Sequence, residues 1–421
     1  MSKKSSEERF GSRGIWEQLE AMAREQIQRF VQRLLEEEVT ELVGRAKSER
    51  RAVVGEPGAV VYRNGHGKAR RLALTSGTIE VRRPRLRGLD ERFESQVLPL
   101  FKRRTQEVAE LLPKLYLHGL AQGDFELALR GLLGDGAPLS ASSIERLRGK
   151  WVAEYEAWRQ RSLVGLEPVY LWADGVYVKA GLEQDKAALL VVIAALRDGR
   201  KVVLAIEPGH RESAASWGRI LRGLLERGLK VTPRLLVADG HLGIWAAMAD
   251  VLPQVAEQRC WNHKIRNVLD RLPRRLQAEA RELLRQIAYA ETRQEAERLR
   301  DLFVDRYGST QPSAAETLLR DWERMVTYYD FPREHWKHLR TTNPVESPFA
   351  AVRLRTDAGK RYKKVANATA LIWRLLLVAE QSFRRLDAPH LLPELALGAS
   401  YRDGIRVVEE VLETTDQEAA A

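Results

Sequence analysis

Cysteine is almost absent from this 421-residue chain, in which Cys260 stands alone. A single cysteine excludes an intramolecular disulfide, so we expect a cytoplasmic protein in a reducing compartment. Apolar runs of about 18 residues or more are also absent, which excludes a membrane-spanning helix and a membrane partner. The polar first 20 residues lack the apolar core of a secretory signal. The length suggests two to three domains of about 150 residues each.

Acidic residues are the minority among the charged ones, with 58 Asp and Glu against 69 Lys and Arg. The basic excess is local, because residues 63–104 carry a net charge of +8 and residues 353–385 a net charge of +7. The remainder of the chain is mildly acidic. Two basic clusters of this kind predict a polyanionic partner, nucleic acid in the first place. A solvated basic surface without a partner is the alternative.

The first hundred residues show two different patterns. Residues 1–54 carry apolar side chains at helical spacing, which predicts a helical region that serves packing or dimerisation. Residues 55–104 contain short strand-like stretches with a tight turn at Ser76-Gly77, which predicts a small basic β-unit with a hairpin. Its arginines could lie along phosphates; we single out Arg70, Arg71, Arg82, Arg83 and Arg85.

Residues 105–165 return to helical spacing. Two apolar helices, a Gly- and Pro-containing turn and a third helix that starts near Ser140 are typical of a helix-turn-helix DNA-binding domain. Plain packing of three helices is the alternative. The third helix is basic, and we expect three of its side chains to contact DNA: Arg146, Arg148 and Lys150.

A mixed α/β pattern begins at residue 166. Strand, strand, strand, helix, strand, helix and strand follow one another up to residue 261, an order that fits a ribonuclease H-like core. Residues 262–340 are helical throughout and are interpreted as an all-α insertion, after which residues 341–386 supply the C-terminal helices of the core. Residues 387–421 form a tail with a predicted helix over residues 405–412. The predicted fold is therefore an α/β, ribonuclease H-like mixed sheet interrupted by an all-α insertion, with N-terminal helical and helix-turn-helix domains.

Three acidic residues stand out by position. Asp174 is embedded in the apolar first strand, Asp239 directly follows a buried strand, and Glu346 begins a helix. An unpaired carboxylate on an apolar strand is costly, and a metal ion would offset that cost. Mg²⁺ prefers oxygen ligands, and two such ions about 4 Å apart can stabilise both the attacking and the leaving oxygen in phosphodiester chemistry.

Each of the three carboxylates also has a structural alternative. Asp174-Gly175 would fit a bulge or turn, and Asp239-Gly240 an ordinary strand-ending turn. Glu346 would fit the third helical position of a capping box that starts at Asn343. The three positions together favour a shared site, because all of them fall at edges of one predicted sheet.

Four motifs, taken in this order, resemble the mutator-family transposases of bacterial insertion sequences. They are Asp-Gly-Val-Tyr-Val-Lys from Asp174, Ala-Asp-Gly-His from Ala238, Arg-Cys-Trp-Asn-His-Lys from Arg259, and Arg-Thr-Thr-Asn-Pro-Val-Glu-Ser from Arg340. Residues 63–65 and 81–85 are similar to the N-terminal region of the same family. The resemblance runs over residues 34–385, and it is the whole set that makes it specific.

The resemblance implies a DDE transposase on a ribonuclease H-like fold, with Asp174, Asp239 and Glu346 as a catalytic triad that holds Mg²⁺ or Mn²⁺. Such an enzyme binds the ends of an insertion sequence, cleaves them by metal-dependent hydrolysis and joins the 3′-hydroxyl ends to DNA by transesterification. Family members move through a circular double-stranded intermediate and carry a helical insertion before the glutamate. The implied partners are double-stranded DNA, as terminal inverted repeats and target, and further copies of the chain in a synaptic complex at the nucleoid.

Two other functions compete with transposition. The same fold could be kept as a DNA-binding regulator without catalysis, although a pure binder has no need of all three carboxylates. A stand-alone metal nuclease would use the same residues and metals for hydrolysis without strand transfer.

Cys260 and His263 form the Cys-x-x-His element of the family. His335 and His338 repeat the spacing and could complete a zinc site, but three histidines with one cysteine are an unusual set for a closed structural site. We expect instead that Cys260 is a buried strand residue. We expect His263 near the catalytic pocket, where it contacts the scissile phosphate or positions a carboxylate.

The second basic cluster follows Glu346 directly in the sequence. Its proximity to the expected triad predicts contact with the DNA backbone beside the site, and a solvated helix face is the alternative. The residues concerned are Arg353, Arg355, Lys360, Arg361, Lys363 and Lys364.

Overall fold

The computed structural model describes residues 4–49, 61–89, 93–98, 141–178, 187–209, 213–358 and 364–407. The chain divides into two compact units, Met1–Leu147 and Arg148–Ala421. No helix in the described ranges is long and apolar enough to cross a membrane. The two helices that were predicted to open the helix-turn-helix domain, within residues 105–140, lie outside the described residues.

The first unit pairs one long helix with a β-hairpin. Helix α1 spans Lys4–Val43, and the antiparallel strands β1 (Tyr62–Leu74) and β2 (Gly77–Arg87) meet at Leu74 and Gly77. The predicted helix and hairpin are thus confirmed, but the turn lies at Thr75-Ser76, one residue before the predicted Ser76-Gly77, because Gly77 already pairs with Leu74. Gly77 has a φ of +119°, a backbone conformation that side chains with a Cβ rarely adopt.

Helix α1 packs on β2 through a small apolar core. It is formed by Leu35, Leu72, Ile79, Val81 and Leu98. Gln32 on the helix also bonds to the backbone of Arg82 in both directions, as donor and as acceptor, at 2.9 Å each. The helix side chain therefore satisfies backbone groups of β2 that would otherwise need water.

Helix α2 spans Ala141–Arg159 and leads into the second unit. Its second half is packed, because Trp151 and Tyr155 are buried and the Tyr155 hydroxyl donates to the backbone oxygen of Ile206 at 2.8 Å. The Tyr155 ring lies 6.1 Å from that of Trp373. The helix predicted to be the third of the helix-turn-helix domain thus contributes to the core of the second unit.

A five-stranded mixed sheet forms the centre of the second unit. Its strands are β3 (Pro168–Val178), β4 (Ala187–Leu196), β5 (Lys201–Gly209), β6 (Leu235–Ala238) and β7 (Ala256–Arg259), in the spatial order β5-β4-β3-β6-β7. Strand β4 is antiparallel to β3 and β5, whereas β6 and β7 run parallel to β3. The mixed α/β sheet and the order expected of a ribonuclease H-like core are confirmed.

Helices α3 (Ala214–Glu226) and α4 (Leu242–Val251) cover one face of this sheet. Their apolar sides bury Trp217, Leu221 and Met248 against strand residues such as Leu171 and Val192. Removing this much apolar surface from water is what holds the layers together, at roughly 25 cal/mol per Å². Side chains alternate along β3, so Tyr170, Trp172 and Asp174 point to the opposite face.

Helical segments follow the sheet, as predicted for residues 262–340. They are α5 (Trp261–Leu269), α6 (Arg274–Ala288), α7 (Arg293–Tyr307), α8 (Pro312–Leu319), α9 (Trp322–Val326), two 3₁₀ turns (Thr327–Asp330 and Arg333–His335) and α10 (Trp336–Leu339). Helices α11 (Asn343–Ala358) and α12 (Val365–Glu380) then return to the sheet, where α11 packs on β3 and α12 on β5. A 3₁₀ turn (Pro389–Leu391) and α13 (Leu392–Ala396) follow.

The predicted helix over residues 405–412 is wrong within the described part. Strands β8 (Tyr401–Arg402) and β9 (Ile405–Arg406) form a hairpin there. Asp403 and Gly404 connect them with φ of +47° and +80°. An Asp-Gly pair with two positive φ angles is a strong hairpin signal, and here it outweighs the helical spacing of the apolar residues. The domain boundaries given above remain predictions.

Candidate active site

The register of two parallel strands places Asp174 beside Asp239. Ala173 on β3 pairs with Ala238 on β6, and this is the last pair of their ladder. Each aspartate directly follows its alanine, so Asp174 on β3 stands next to Asp239, the residue that follows the end of β6. Asp174 lies within a continuous strand, with a register shift in the β3–β4 ladder only between Pro168 and Tyr170. The bulge alternative for Asp174 is therefore wrong.

Both aspartates are oriented by backbone amides. The Gly175 N–H donates to Asp174 Oδ1 at 2.8 Å, and the His241 N–H donates to Asp239 Oδ1 at 2.9 Å. Asp174 is 8% exposed. The Asp239 contact is the expected turn at the strand end, so this alternative describes the local backbone without excluding a role in a site.

The turn after Asp239 depends on a glycine. Gly240 has a φ of +98°, and a Cβ at this position would lie 2.1 Å from Arg259 Nε. The Arg259 guanidinium is buried, donates to the backbone oxygen of Asp239 at 3.3 Å and pairs with Asp321 at 2.7 Å. An arginine on β7 therefore fixes the backbone that carries Asp239. Its place in the third motif was the sequence signal, but its role was not foreseen.

Cys260 joins this strand edge to the segment that precedes Glu346. Its N–H donates to the Ala238 oxygen at 2.8 Å, and its Sγ lies 3.4 Å from the Thr342 N and 3.3 Å from Thr342 Oγ1. The next residue, Trp261, donates its N–H to the Arg340 oxygen at 2.9 Å. The second, third and fourth motifs of the sequence thus meet at one place. Cys260 is buried as predicted, but it directly follows β7 and precedes α5.

Glu346 lies in the first turn of α11, where Thr342 orients it. The Thr342 hydroxyl donates to Glu346 Oε1, and the Thr342 backbone oxygen accepts the Glu346 N–H at 2.9 Å. The Asn343 N–H, which a capping box would direct to the Glu346 carboxylate, instead donates to Thr341 Oγ1 at 3.4 Å. The capping-box alternative is therefore wrong. Sequence reasoning missed Thr342, whose signal was only its place in the fourth motif.

His263 stands beside Glu346. Its Nδ1 lies 3.7 Å from Glu346 Oε1 and is a buried atom without a hydrogen-bond partner in the described part of the chain. Cys260 Sγ, a His263 ring nitrogen and a Glu346 oxygen all lie within 4.8 Å of one another. Burial raises the pKa of the Cys260 thiol above its ordinary value, although hydrogen bonds from Thr342 and His263 oppose the rise.

The two other histidines of the zinc alternative are engaged elsewhere. His335 Nδ1 lies 2.8 Å from the Tyr170 hydroxyl, and His338 Nε2 lies 3.4 Å from Asp387 Oδ1. Burial lowers the pKa of both imidazoles, that of His338 to about 4. Among the described residues, the group that could hold a metal contains neither of them. The four-ligand zinc site is therefore wrong.

The predicted DNA contacts fall into two sets in the described residues. On the hairpin, Arg71, Arg82 and Arg85 are exposed and Arg70 is half-buried, whereas Arg83 donates to the Phe93 oxygen at 2.7 Å. On α2, Arg146 and Lys150 are exposed and Arg148 is half-buried. Their contact with DNA remains a prediction.

The second basic cluster is described only in part. Arg353 on α11 and Lys364 just before α12 are exposed. Arg355 belongs to α11, but its side chain is not among those described, and Lys360, Arg361 and Lys363 lie outside the described residues. This expected DNA contact remains a prediction as well.

Comparison with known proteins agrees with these motifs. The family described as "Transposase, Mutator family" matches residues 3–385. The transposase for insertion sequence element IS6120 of Mycolicibacterium smegmatis is 42% identical over 308 residues, which are 73% of this chain and 95% of the relative. The transposase for IST2 of Acidithiobacillus ferrooxidans is 38% identical over 279 residues, 66% of this chain and 94% of the relative.

Among solved structures, the Drosophila P element transposase strand transfer complex covers 72% of this chain and 84% of its own. The TM-score is 0.30 and the identity 13%. This is a loose likeness, and the fold assignment rests on the strand order and directions given above.

Proposed function

The chain belongs to the mutator family of transposases, and from this premise we propose that it is a DDE transposase. It cleaves the ends of its insertion sequence by hydrolysis and joins the freed 3′-hydroxyls to DNA by transesterification. One observation carries the proposal: the register of β3 and β6 sets Asp174 next to Asp239 where β6 ends, and contacts through Cys260 and Thr342 connect that strand end with Glu346.

The donor set fits a hard divalent cation. Three carboxylates, one within β3, one just past the end of β6 and one in the first turn of α11, offer oxygen ligands, which Mg²⁺ and Mn²⁺ prefer. When bound, such ions stabilise the attacking and leaving oxygens of a phosphodiester. The chain itself supplies orientation, since backbone amides hold both aspartates and Thr342 holds Glu346. His263 beside Glu346 would contact the scissile phosphate or position this carboxylate.

Double-stranded DNA is the proposed partner, as the terminal repeats of the element and as target. The exposed arginines of the β1–β2 hairpin, the basic residues of α2 and those around α11 would bind its phosphates. Two ends must be brought together, so a dimer or larger assembly is proposed for the synaptic complex. Residues 166–261 and 341–386 would form the catalytic core, interrupted by the insertion at 262–340.

The test is element excision and circle formation in cells that carry the coding region with its own flanking DNA. Wild type is compared with Glu346→Gln and with Glu316→Gln, an exposed glutamate on α8 as the matched control. Circles or repaired donor sites with wild type and the control, and none with Glu346→Gln at equal protein level and DNA binding, support the proposal.

Two other outcomes contradict it. Activity of Glu346→Gln at the wild-type level overturns the triad. Absence of products from all three proteins, with DNA binding intact, favours the regulator instead. A strand-transfer assay with pre-cleaved ends separates the remaining alternative, because a nuclease that only hydrolyses yields no joined product.

A further inference from the structure

Glu346 also belongs to a second kind of candidate metal site, together with Cys260 and His263. Cys260 is fully buried, whereas the side chains of His263 and Glu346 are 22% and 26% exposed to solvent. We propose that Cys260, His263 and Glu346 form a reversible site for a thiophilic divalent cation, of which Zn²⁺ is the type. Its occupation withdraws Glu346 from the other carboxylates and stops DNA cleavage. The inhibition, but not the binding, rests on the proposed function.

The distances suit a small tetrahedral ion. Zn²⁺ binds sulfur at about 2.3 Å and nitrogen or oxygen at about 2.0–2.2 Å, which places neighbouring ligand atoms about 3.3–3.8 Å apart. His263 Nδ1 and Glu346 Oε1 are already 3.7 Å apart, and all three ligand atoms lie within 4.8 Å of one another. Small side-chain rotations are enough to close the site.

The ligand chemistry selects the class of ion. A thiolate and an imidazole bind Zn²⁺ well and Mg²⁺ poorly, since Mg²⁺ requires oxygen ligands in octahedral geometry. Three protein ligands leave the fourth position open, as in exchangeable zinc sites rather than closed structural ones. The open position faces the solvent-exposed side, where water or a phosphate oxygen of DNA can occupy it.

The surroundings can hold a thiolate. The Thr342 N–H donates to Cys260 Sγ at 3.4 Å, whereas the Thr342 hydroxyl oxygen lies 3.3 Å from the sulfur and directs its proton to Glu346 Oε1. A hydrogen bond to a ligating sulfur stabilises it and fixes its direction. The thiol proton is released to solvent when the ion binds, as it is for other cysteine ligands. His263 Nδ1 needs no rearrangement of hydrogen bonds, because it has no partner among the described residues.

The single cysteine makes the test specific. Co²⁺ replaces Zn²⁺ in such sites, and a thiolate ligand gives Co²⁺ a charge-transfer absorption band in the near ultraviolet. Since Cys260 is the only cysteine in the chain, this band can come from no other residue. We would titrate the full-length, chelator-treated protein with Co²⁺ in a buffer whose reductant contains no thiol, and then displace Co²⁺ with Zn²⁺.

We expect one Co²⁺ per chain with a thiolate band in wild type, displaced by one equivalent of Zn²⁺, and no band in Cys260→Ser. His263→Gln should keep a sulfur band but bind Co²⁺ about tenfold more weakly or worse. In Mg²⁺-dependent cleavage, each protein is compared with its own rate without Zn²⁺, whatever that rate is. Micromolar Zn²⁺ should inhibit wild type, and the Zn²⁺ concentration that halves the rate should be about tenfold higher or more for Cys260→Ser. Equal thermal melts would show that the variants fold.

Absence of the band from wild type overturns the site, and so does a Cys260→Ser variant that is as sensitive to Zn²⁺ as wild type. If Cys260→Ser does not fold, an unchanged Co²⁺ affinity in His263→Gln has the same meaning. The two proposals fail separately. A protein that binds Co²⁺ through its thiolate but cleaves no DNA refutes only the transposase chemistry, whereas Glu346-dependent cleavage without Co²⁺ binding refutes only this site.

Discussion

Asp174 and Asp239 are neighbours because Ala173 and Ala238 form the last pair of a parallel ladder. Neighbouring positions on parallel strands lie side by side, so the residue after each member of this pair lies next to its counterpart. Asp174 is still within β3, whereas Asp239 lies just past the end of β6. The backbone that carries both carboxylates is anchored in the core, because the paired residues of β3 and β6 are buried. Precise placement of reacting groups is what a catalytic site requires.

This relationship predicts that Asp174→Asn and Asp239→Asn each reduce DNA cleavage by about 10³-fold or more, since each removes a charge from one shared cluster. Because residues that act as a unit are not additive, the double variant should be no worse than the worse single variant. Cleavage of labelled element ends in Mg²⁺ measures this. Asp250→Asn is the matched control, because Asp250 is an exposed helix residue paired with Arg222, and it should cleave normally. Near-normal cleavage by either strand variant would remove that aspartate from the site.

Local pattern was enough to predict these strands. The pattern of residues 166–261 predicted three strands, a helix, a strand, a helix and a strand, and the structure has this order. The order of the elements then indicated the sheet. Local pattern could not bring Glu346 to Asp239, because the entire helical segment separates them and the contacts that join them are tertiary. The positions of the three acids at edges of one predicted sheet favoured a shared site, and the resemblance then identified them as a triad.

The single residues that support the site could not be predicted from the sequence, for the same reason. The hydrogen bonds of Thr342 connect Cys260 with Glu346. The spacing of these residues in the sequence does not predict these contacts. The β8–β9 hairpin was missed although its Asp403-Gly404 signal was present, because Ile405 and the apolar residues after it also fit a helix. An Asp-Gly pair marks a turn, and this signal favours the hairpin over the predicted helix.

Gly240→Ala should damage both stability and cleavage. The added Cβ meets Arg259 at 2.1 Å, and φ at Gly240 is +98°, so we expect a loss of about 2 kcal/mol or more in the free energy of unfolding. The displaced turn carries Asp239, and cleavage should fall further than stability explains. Gly223→Ala is the control: Gly223 lies inside α3 with nothing near the added Cβ, and alanine there should stabilise by about 0.5–1 kcal/mol. Urea denaturation measures the stability of both variants, and the cleavage assay measures their activity. If Gly240→Ala were as stable as Gly223→Ala, the predicted backbone strain at Gly240 would be wrong.

His338 should make the second unit sensitive to acid. Burial, followed by repulsion from Lys201, lowers the pKa of His338 from 6.5 to about 4. Between these values the unfolded chain binds a proton that the folded chain does not, so the free energy of unfolding falls as the pH is lowered through this window. The full shift corresponds to about 3 kcal/mol.

His338→Gln should remove this contribution. It keeps the backbone oxygen that accepts the Trp172 indole N–H at 2.9 Å. Urea midpoints of wild type and variant are compared at a pH of about 7, above the titration window of His338, and at a pH of about 4.5, inside that window. Wild type should lose more stability than the variant on acidification. Equal losses would show that His338 titrates in the folded protein as it does in the unfolded chain.

The exposed arginines of the β1–β2 hairpin should act through phosphates rather than bases. Arg71, Arg82 and Arg85 are exposed, while backbone contacts with Gln32 hold β2 in place, so replacing all three by glutamine should leave the fold intact. Each phosphate contact contributes about 0.9 to the slope of log affinity against log salt concentration. The triple variant should therefore bind element ends more weakly and reduce the slope by up to about 3. Arg298→Gln, which removes an exposed arginine paired with Glu295 on α7, should change neither quantity. A triple variant that binds more weakly at an unchanged slope would mean that the loss came from the protein's own structure, and the hairpin would not be a phosphate-binding surface.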